Sequence, residues 1–330
     1  MRLNLTNERA AKGHPLLLSP AFVDYLWGGT RLRTEYGKVS DMNPLAESWE
    51  LSCHPNGPCT IENGPYAGKQ LSQYLRENPS HLFAGAAPDE AFPLLIKFID
   101  AQQALSIQVH PDDAYARRVE HSFGKTEMWY VVDAQEGAGI YYGFRRPVSR
   151  EQVRAAIESD TITDLLNWTP AKKGDVFFIP AGTVHAIGAG LLIAEVQQSS
   201  DITYRFYDFG RRVNGKLREL HVDKALDVAL LASSAFAVGP TEPPYWVTGG
   251  MVQPLVRCSK FVTEAVVVSS RMPCHAGRES FHSLLSLEGT GVLVHGGEQL
   301  EIRKGQSVFV PAGMGDYALE GDMRLLRTTL

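Results

Sequence analysis

Apolar and polar positions alternate in short runs along most of the chain. Gly, Pro or Asp bounds most of the runs, which predicts strands over 92–100, 104–110, 127–134, 175–180 and 190–198. The segment 282–302 predicts a series of hairpins, with Gly296-Gly297 as a tight turn. Helical spacing is rarer. Residues 149–168 place Ser149 as an N-cap ahead of Glu151 and Gln152, which predicts a short helical insert between strands. Residues 220–233 and 68–78 predict two further helices. The Pro- and Gly-rich stretch 234–246 reads as a linker, dividing the chain into 1–235, a connection 236–245, and 246–330.

One pattern occurs twice. Gly174, five residues, then Pro180-Ala181-Gly182 is matched by Gly305, five residues, then Pro311-Ala312-Gly313. Each copy is a strand bracketed by turns, so one small β-domain is repeated. Many short strands and a duplicated unit predict a mainly β protein of two β-barrels or jelly rolls with a small helical insertion. Three residues after its second glycine the first copy carries His185, where the second carries Asp316.

That difference points to chemistry in the first copy. Gln108 and His110 lie two apart on a predicted strand and share a face. Glu127 heads an apolar strand, where a buried carboxylate requires a cation. His185 follows the Pro-Ala-Gly turn. Two imidazoles, a carboxylate and an amide oxygen form an N/O ligand set suited to zinc, and also to Mn²⁺, Co²⁺ or Fe²⁺. The second copy has no comparable set, which predicts a C-terminal domain that is structural and binds no metal.

Composition narrows the setting. The chain has 330 residues, a length for about two domains. A net charge of −5 offers no footprint for nucleic acid. The four cysteines, Cys53, Cys59, Cys258 and Cys274, have no C-x-x-C spacing and read as reduced thiols. The N-terminus has no apolar signal core and no window approaches the roughly 18 apolar residues of a membrane span. The expectation is a cytoplasmic protein, monomeric or weakly dimeric.

The motifs resemble a known family. Gly-x5-Pro-x-Gly-x2-His resembles the second cupin motif, and Q-x-H with a separate Glu resembles the first. "YLWGGTRLRTEYG" (25–37), "AESWELSCHPNGP" (46–58), "LIKFIDAQQALSIQVHPDD" (95–113), "GKTEMWYVV" (124–132), "IPAGTVHAIGAG" (179–190) and "EVQQSSDITYRFYDFGR" (195–211) follow the order of type I phosphomannose isomerases of the short bacterial form. The resemblance implies a bicupin and a zinc-dependent aldose–ketose isomerase of carbohydrate metabolism, interconverting mannose 6-phosphate and fructose 6-phosphate through a cis-enediol. It implies one Zn²⁺ held by Gln108, His110, Glu127 and His185. It places Arg205, Lys125, Glu195 and Asp201 at catalytic positions, and Lys97, Ser106, Lys125 and Arg205 at the sugar phosphate. Long family members carry a larger helical domain where this chain has only the 149–168 insert. Two other readings stand beside this one: another metal-dependent cupin enzyme, an epimerase or dioxygenase, and a non-catalytic sugar-phosphate sensor. The lysine and arginine array argues against an oxygenase, and the intact ligand positions and Arg205 argue against a sensor.

Overall fold

A computed structural model describes residues 13–233 and 237–330. The fold is mainly β, in three large sheets. The first has six strands in the spatial order β10 (Val176–Ile179), β7 (Glu127–Ala134), β12 (Leu191–Gln198), β5 (Leu94–Ala101), β3 (Glu47–Leu51) and β2 (Ala21–Val23). The second has five: β13 (Tyr204–Tyr207), β6 (Ile107–Val109), β11 (His185–Ile187), β8 (Gly139–Phe144) and β9 (Leu166–Pro170). The third has ten. Its main path runs β16 (Tyr245–Val247), β17 (Gly250–Arg257), β18 (Val262–Val268), β23 (Gly315–Thr329), β20 (His282–His295), β22 (Ser307–Val310), β1 (Leu16–Ser19) and β4 (Thr60–Ile61). Off that path, β19 (Met272–Ala276) pairs with β23 and β21 (Glu298–Arg303) pairs with β20. A small hairpin, β14 (Arg212–Val213) and β15 (Lys216–Leu217), stands apart. The sheets pack as jelly-roll layers rather than closing into continuous barrels.

The pleat sorts side chains between layers. On one face of the six-stranded sheet, Leu94, Ile96, Phe98, Met128, Tyr130, Leu192, Ala194 and Val196 join Phe261, Phe281, Leu285, Phe309 and Leu326 in one apolar core. On the other face, Ile99, Trp129, Val131, Phe177 and Ile193 pack against Ile140, Tyr142 and Ile187 of the five-stranded sheet. The functional side chains lie between these two sheets.

The expected division of the chain meets two observations. Strands β1 and β4, from the first sixty-odd residues, are hydrogen-bonded into the C-terminal sheet through β22. The boundary expected at 235 falls at residues 234–236, outside the described residues. The insert at 149–168 is helical only over Arg150–Glu158, behind a Ser149–Gln152 capping box. Asp160 turns left-handed at φ 57°, and after a 3₁₀ turn at Ile162–Leu165 the chain extends into β9, where Trp168 stacks edge-on against Tyr141. The other two predicted helices are also shorter than expected, at Leu71–Glu77 and Val222–Val228. Arg31–Tyr36 and Asp113–Val119 form helices not anticipated from pattern. All four cysteines are unpaired. Among the described residues, no helix is long and apolar enough to cross a membrane.

A buried ion pair ties the layers together. Lys38 Nζ lies 2.6 Å from Glu50 Oε1 and donates to the Gly305 carbonyl at 2.5 Å, at the turn that opens the second copy of the repeat. Both charged side chains are buried. Lys38→Ala would leave Glu50 without a counter-charge, and the expected loss is about 3–5 kcal/mol of stability, read from the denaturant midpoint.

Candidate metal centre and surrounding pocket

The six-stranded and five-stranded sheets deliver the expected residues by register. Across the five-stranded sheet, Arg205, Gln108, His185 and Tyr142 are direct cross-strand neighbours in that order, so they share one face. Across the six-stranded sheet, Trp129, Glu195, Lys97 and Trp49 form a facing row, and Glu127 lies two residues before Trp129 on the same side. Gly124 lets the Lys125 loop approach: a Cβ there would meet the Asp112–Asp113 backbone at 2.5 Å.

His110, Glu127 and His185 converge, each offering one ligand atom within 4.8 Å of the others. All three are buried. His110 Nδ1–H donates to the Ile202 carbonyl at 2.8 Å, and His185 Nδ1–H donates to the Thr183 carbonyl at 2.9 Å. A carbonyl only accepts, so both Nε2 atoms carry lone pairs, as a ligating imidazole requires. They point at Glu127, at 3.6 Å for His110 and 3.2 Å for His185. Neither Glu127 oxygen has a well-formed hydrogen bond. Three acceptor groups facing one another in a dry site call for a cation. The nearest positive group is the Lys125 ammonium, 2.7 Å from Glu127 Oε2 and 3.1 Å from His110 Nε2.

Charge states follow from this burial. Burial, with Lys125 and His185 adding, holds the His110 imidazole well below its ordinary range. Burial pushes His185 down to about 3, against the favourable pull of the Thr183 carbonyl. Both rings are therefore neutral near pH 7. Burial and then Glu195 push the Glu127 carboxyl up, and Lys125 only partly opposes them. For Glu195 burial works against ionisation, but Lys125 and Lys97 outweigh it and hold the group ionised. For Lys97 burial is likewise outweighed, here by Glu195, Glu47 and Glu127, so its ammonium stays charged.

Gln108 and Ser106 lie beside the three ligating groups. Gln108 turns its Nε2 toward His185 Nε2 at 3.3 Å, while its Oε1 faces Ser106 Oγ at 3.4 Å. The amide oxygen thus points away from the three converging groups. Lys97 Nζ stands 3.2 Å from both Glu47 and Glu195, and Lys125 Nζ stands 3.4 Å from Glu195. Arg205 donates from Nη1 to the Glu219 carbonyl at 3.1 Å, and its buried Nε has no hydrogen-bond partner among the described residues. Asp201, at the rim, accepts from Asn56 Nδ2 at 2.7 Å and lies 3.7 Å from His54.

One pocket brings Lys97, Ser106, Gln108, Lys125, Glu195, Asp201 and Arg205 together. Its wall also holds Tyr25, Trp27, Glu47, Trp49, Trp129 and Arg218, which sequence reasoning did not assign. The buried Trp129 Nε1–H has no hydrogen-bond partner among the described residues. Tyr204 and Phe206, on either side of Arg205, are core residues.

The second copy of the repeat has the same backbone and different chemistry. Gly182 N–H bonds to the His110 carbonyl, and Gly313 N–H to the Gly277 carbonyl. Glu127 pairs with Ile179 as His282 pairs with Val310, and His185 pairs with Gln108 as Asp316 pairs with His275. The four positions therefore read His275, Gly277, His282 and Asp316. Asp316 is exposed, and His282 Nδ1 bonds the Tyr317 hydroxyl at 2.8 Å. Burial lowers His282 to about 4, so it folds neutral. Its contribution is complete above the unfolded value near 6.5 and is lost as pH falls through 4. Relative to the wild type, His282→Asn should recover up to about 3 kcal/mol of the stability lost over that window, measured by denaturant titration at each pH.

Comparison with known proteins agrees with this geometry. Residues 16–137 match the family model "Phosphomannose isomerase type I, catalytic domain", and residues 252–330 match "Mannose-6-phosphate isomerase, cupin domain". The chain is 38% identical over 314 residues to mannose-6-phosphate isomerase of Streptococcus mutans, covering 94% of this chain and 97% of that protein. It is 37% identical over 309 residues to mannose-6-phosphate isomerase ManA of Bacillus subtilis, covering 93% and 96%. The crystal structure of the mannose 6-phosphate isomerase from Bacillus subtilis superposes with a TM-score of 0.90 at 35% identity, over 96% of this chain and 100% of that one. With such likeness along nearly its whole length, the chain belongs to the type I phosphomannose isomerase family.

Proposed function

We propose that the protein interconverts mannose 6-phosphate and fructose 6-phosphate, using one Zn²⁺ held by His110, Glu127 and His185. The observation that carries the metal is the pair of Nε2 lone pairs aimed at a buried carboxylate without a well-formed hydrogen bond. Gln108 completes the set by turning its amide through half a rotation, which brings Oε1 inward. Neutral imidazoles with one carboxylate and an amide suit zinc. When bound, the ion supplies Lewis-acid polarisation of the sugar's carbonyl oxygen.

The chain's own groups do the rest. The reaction moves a proton between C1 and C2 through a cis-enediol. Arg205, across the sheet from Gln108, offers a fixed positive charge to the enediolate oxygens. Lys97 is not the base, because its neighbours keep it protonated. A carboxylate of the pocket, Glu195 or Asp201, carries the proton. Lys125 is the shared counter-ion of Glu127 and Glu195. Tyr25, Trp27 and Trp49 wall the pocket with surfaces on which a sugar ring can stack.

A coupled assay for fructose 6-phosphate formed from mannose 6-phosphate tests this reading, with metal analysis of the same sample. Binding of the sugar phosphate without turnover would make the protein a sensor, and oxygen consumption would make it an oxygenase.

A further inference from the structure

The two lysines expected at the phosphate are already engaged. Lys97 stands between Glu47 and Glu195, and Lys125 between Glu127 and Glu195. Each ammonium already lies between two carboxylates, which weakens the pull it offers an incoming dianion. The phosphate of the substrate needs cations elsewhere in the same pocket.

Two arginines line that pocket, Arg205 and Arg218. Neighbouring Arg211 is saturated: Nε donates to the Asp208 carbonyl at 3.1 Å, Nη1 to the Ala104 carbonyl at 2.6 Å, and Nη2 to Asp208 Oδ1. Arg218, just after β15, differs. It meets the buried Asp208 carboxylate through Nη1 alone, at 3.2 and 3.3 Å. Its Nε and Nη2 have no hydrogen-bond partner among the described residues, and its side chain is 17% exposed. Arg205 likewise keeps its buried Nε without a partner. Burial and then the Arg218 charge both disfavour the Arg205 cation, so the two guanidinium groups repel. Like charges held beside one pocket are favourable once an anion binds between them.

We propose that Arg218 grips the phosphate of the sugar phosphate through its free Nε–Nη2 edge, with Asp208 as the positioning residue that aims it. Arg205 then serves the reacting carbons and the near side of the phosphate. This assignment rests on the sugar-phosphate reading given above and separates the two arginines by task. A guanidinium fork suits phosphate because two parallel N–H bonds reach two oxygens.

The test compares the wild type with Arg218→Gln and Arg218→Lys. For Arg218→Gln, KM for mannose 6-phosphate should rise about 10- to 100-fold, the loss of a charge-assisted pair of hydrogen bonds, while kcat stays within about threefold. Inorganic phosphate, used as a competitive inhibitor, should weaken by the same factor. Arg218→Lys keeps the charge without the fork and should fall between, which also excludes misfolding as the cause. Unchanged KM and unchanged phosphate inhibition would overturn the proposal, as would a fall in kcat alone. Should the wild type fail to turn over the sugar phosphate, the reading above fails, and calorimetric titration with inorganic phosphate still decides this one. Weaker binding by Arg218→Gln supports it, and equal binding refutes it.

Discussion

Glu127→Gln is expected to abolish metal binding while leaving the fold intact. The substitution keeps the side chain's volume and removes its charge, so a buried divalent ion would face two neutral imidazoles and two amides. After dialysis, metal analysis should find well under one zinc per chain, against about one in the wild type. Turnover should drop on the order of 10³-fold, since a Lewis acid contributes several kcal/mol to such a transition state. Chelation of the wild type should reproduce the loss, and added zinc should restore the wild type but not the variant. Lys125 loses the carboxylate at 2.7 Å but keeps Glu195 at 3.4 Å as a counter-charge, so the ammonium is not left unpaired. A Glu127→Gln protein that kept full zinc and full activity would remove Glu127 from the ligand set.

Arg205→Ala should be nearly as damaging to turnover, for a different reason. Arg205 lies one strand beyond Gln108, which itself neighbours His185. Its Nη1 is held by the Glu219 carbonyl and its Nε stays free in the pocket wall. A fixed donor of this kind stabilises charge that develops only during the reaction, and removing one costs about 10²–10³ in kcat. Zinc content should remain that of the wild type, because no ligand atom is touched. Loss of zinc in Arg205→Ala would instead make the arginine a support for Gln108.

The two variants probe the part of the site that sequence reading reached most directly. Gln108 and His110 share a face by strand period, and Glu127 begins a strand that pattern had located, whereas the three-residue strand begun by His185 was not anticipated. Glu47, Trp49, Tyr25 and Arg218 were out of reach for a physical reason. Periodicity tells which face a residue takes, but strand order decides who stands beside it. Only the pairing of β3 with β5 brings Glu47 and Trp49 to Lys97. Lys97 falls within the strand predicted over 92–100, but its carboxylate partners come from two other strands. The helix expected through 168 failed on a local event: Asp160 takes a left-handed backbone, and beyond the 3₁₀ turn that follows, the alternation in β9 is that of an edge strand. The repeat was visible as a motif. Its full correspondence, His275, Gly277, His282 and Asp316 for the four ligand positions, needed the hydrogen-bond register.

The threading of β1 and β4 into the distal sheet bears on how such a catalyst can evolve. Ending the chain before the second repeat would strip Leu16 and Leu18 of their neighbours and lay Phe98, Met128 and Tyr130 open to water. A half whose matching positions read His275, Gly277, His282 and Asp316 thereby serves as the other half's back wall. Genome shrinkage cannot trim it away without also dissolving the enzyme.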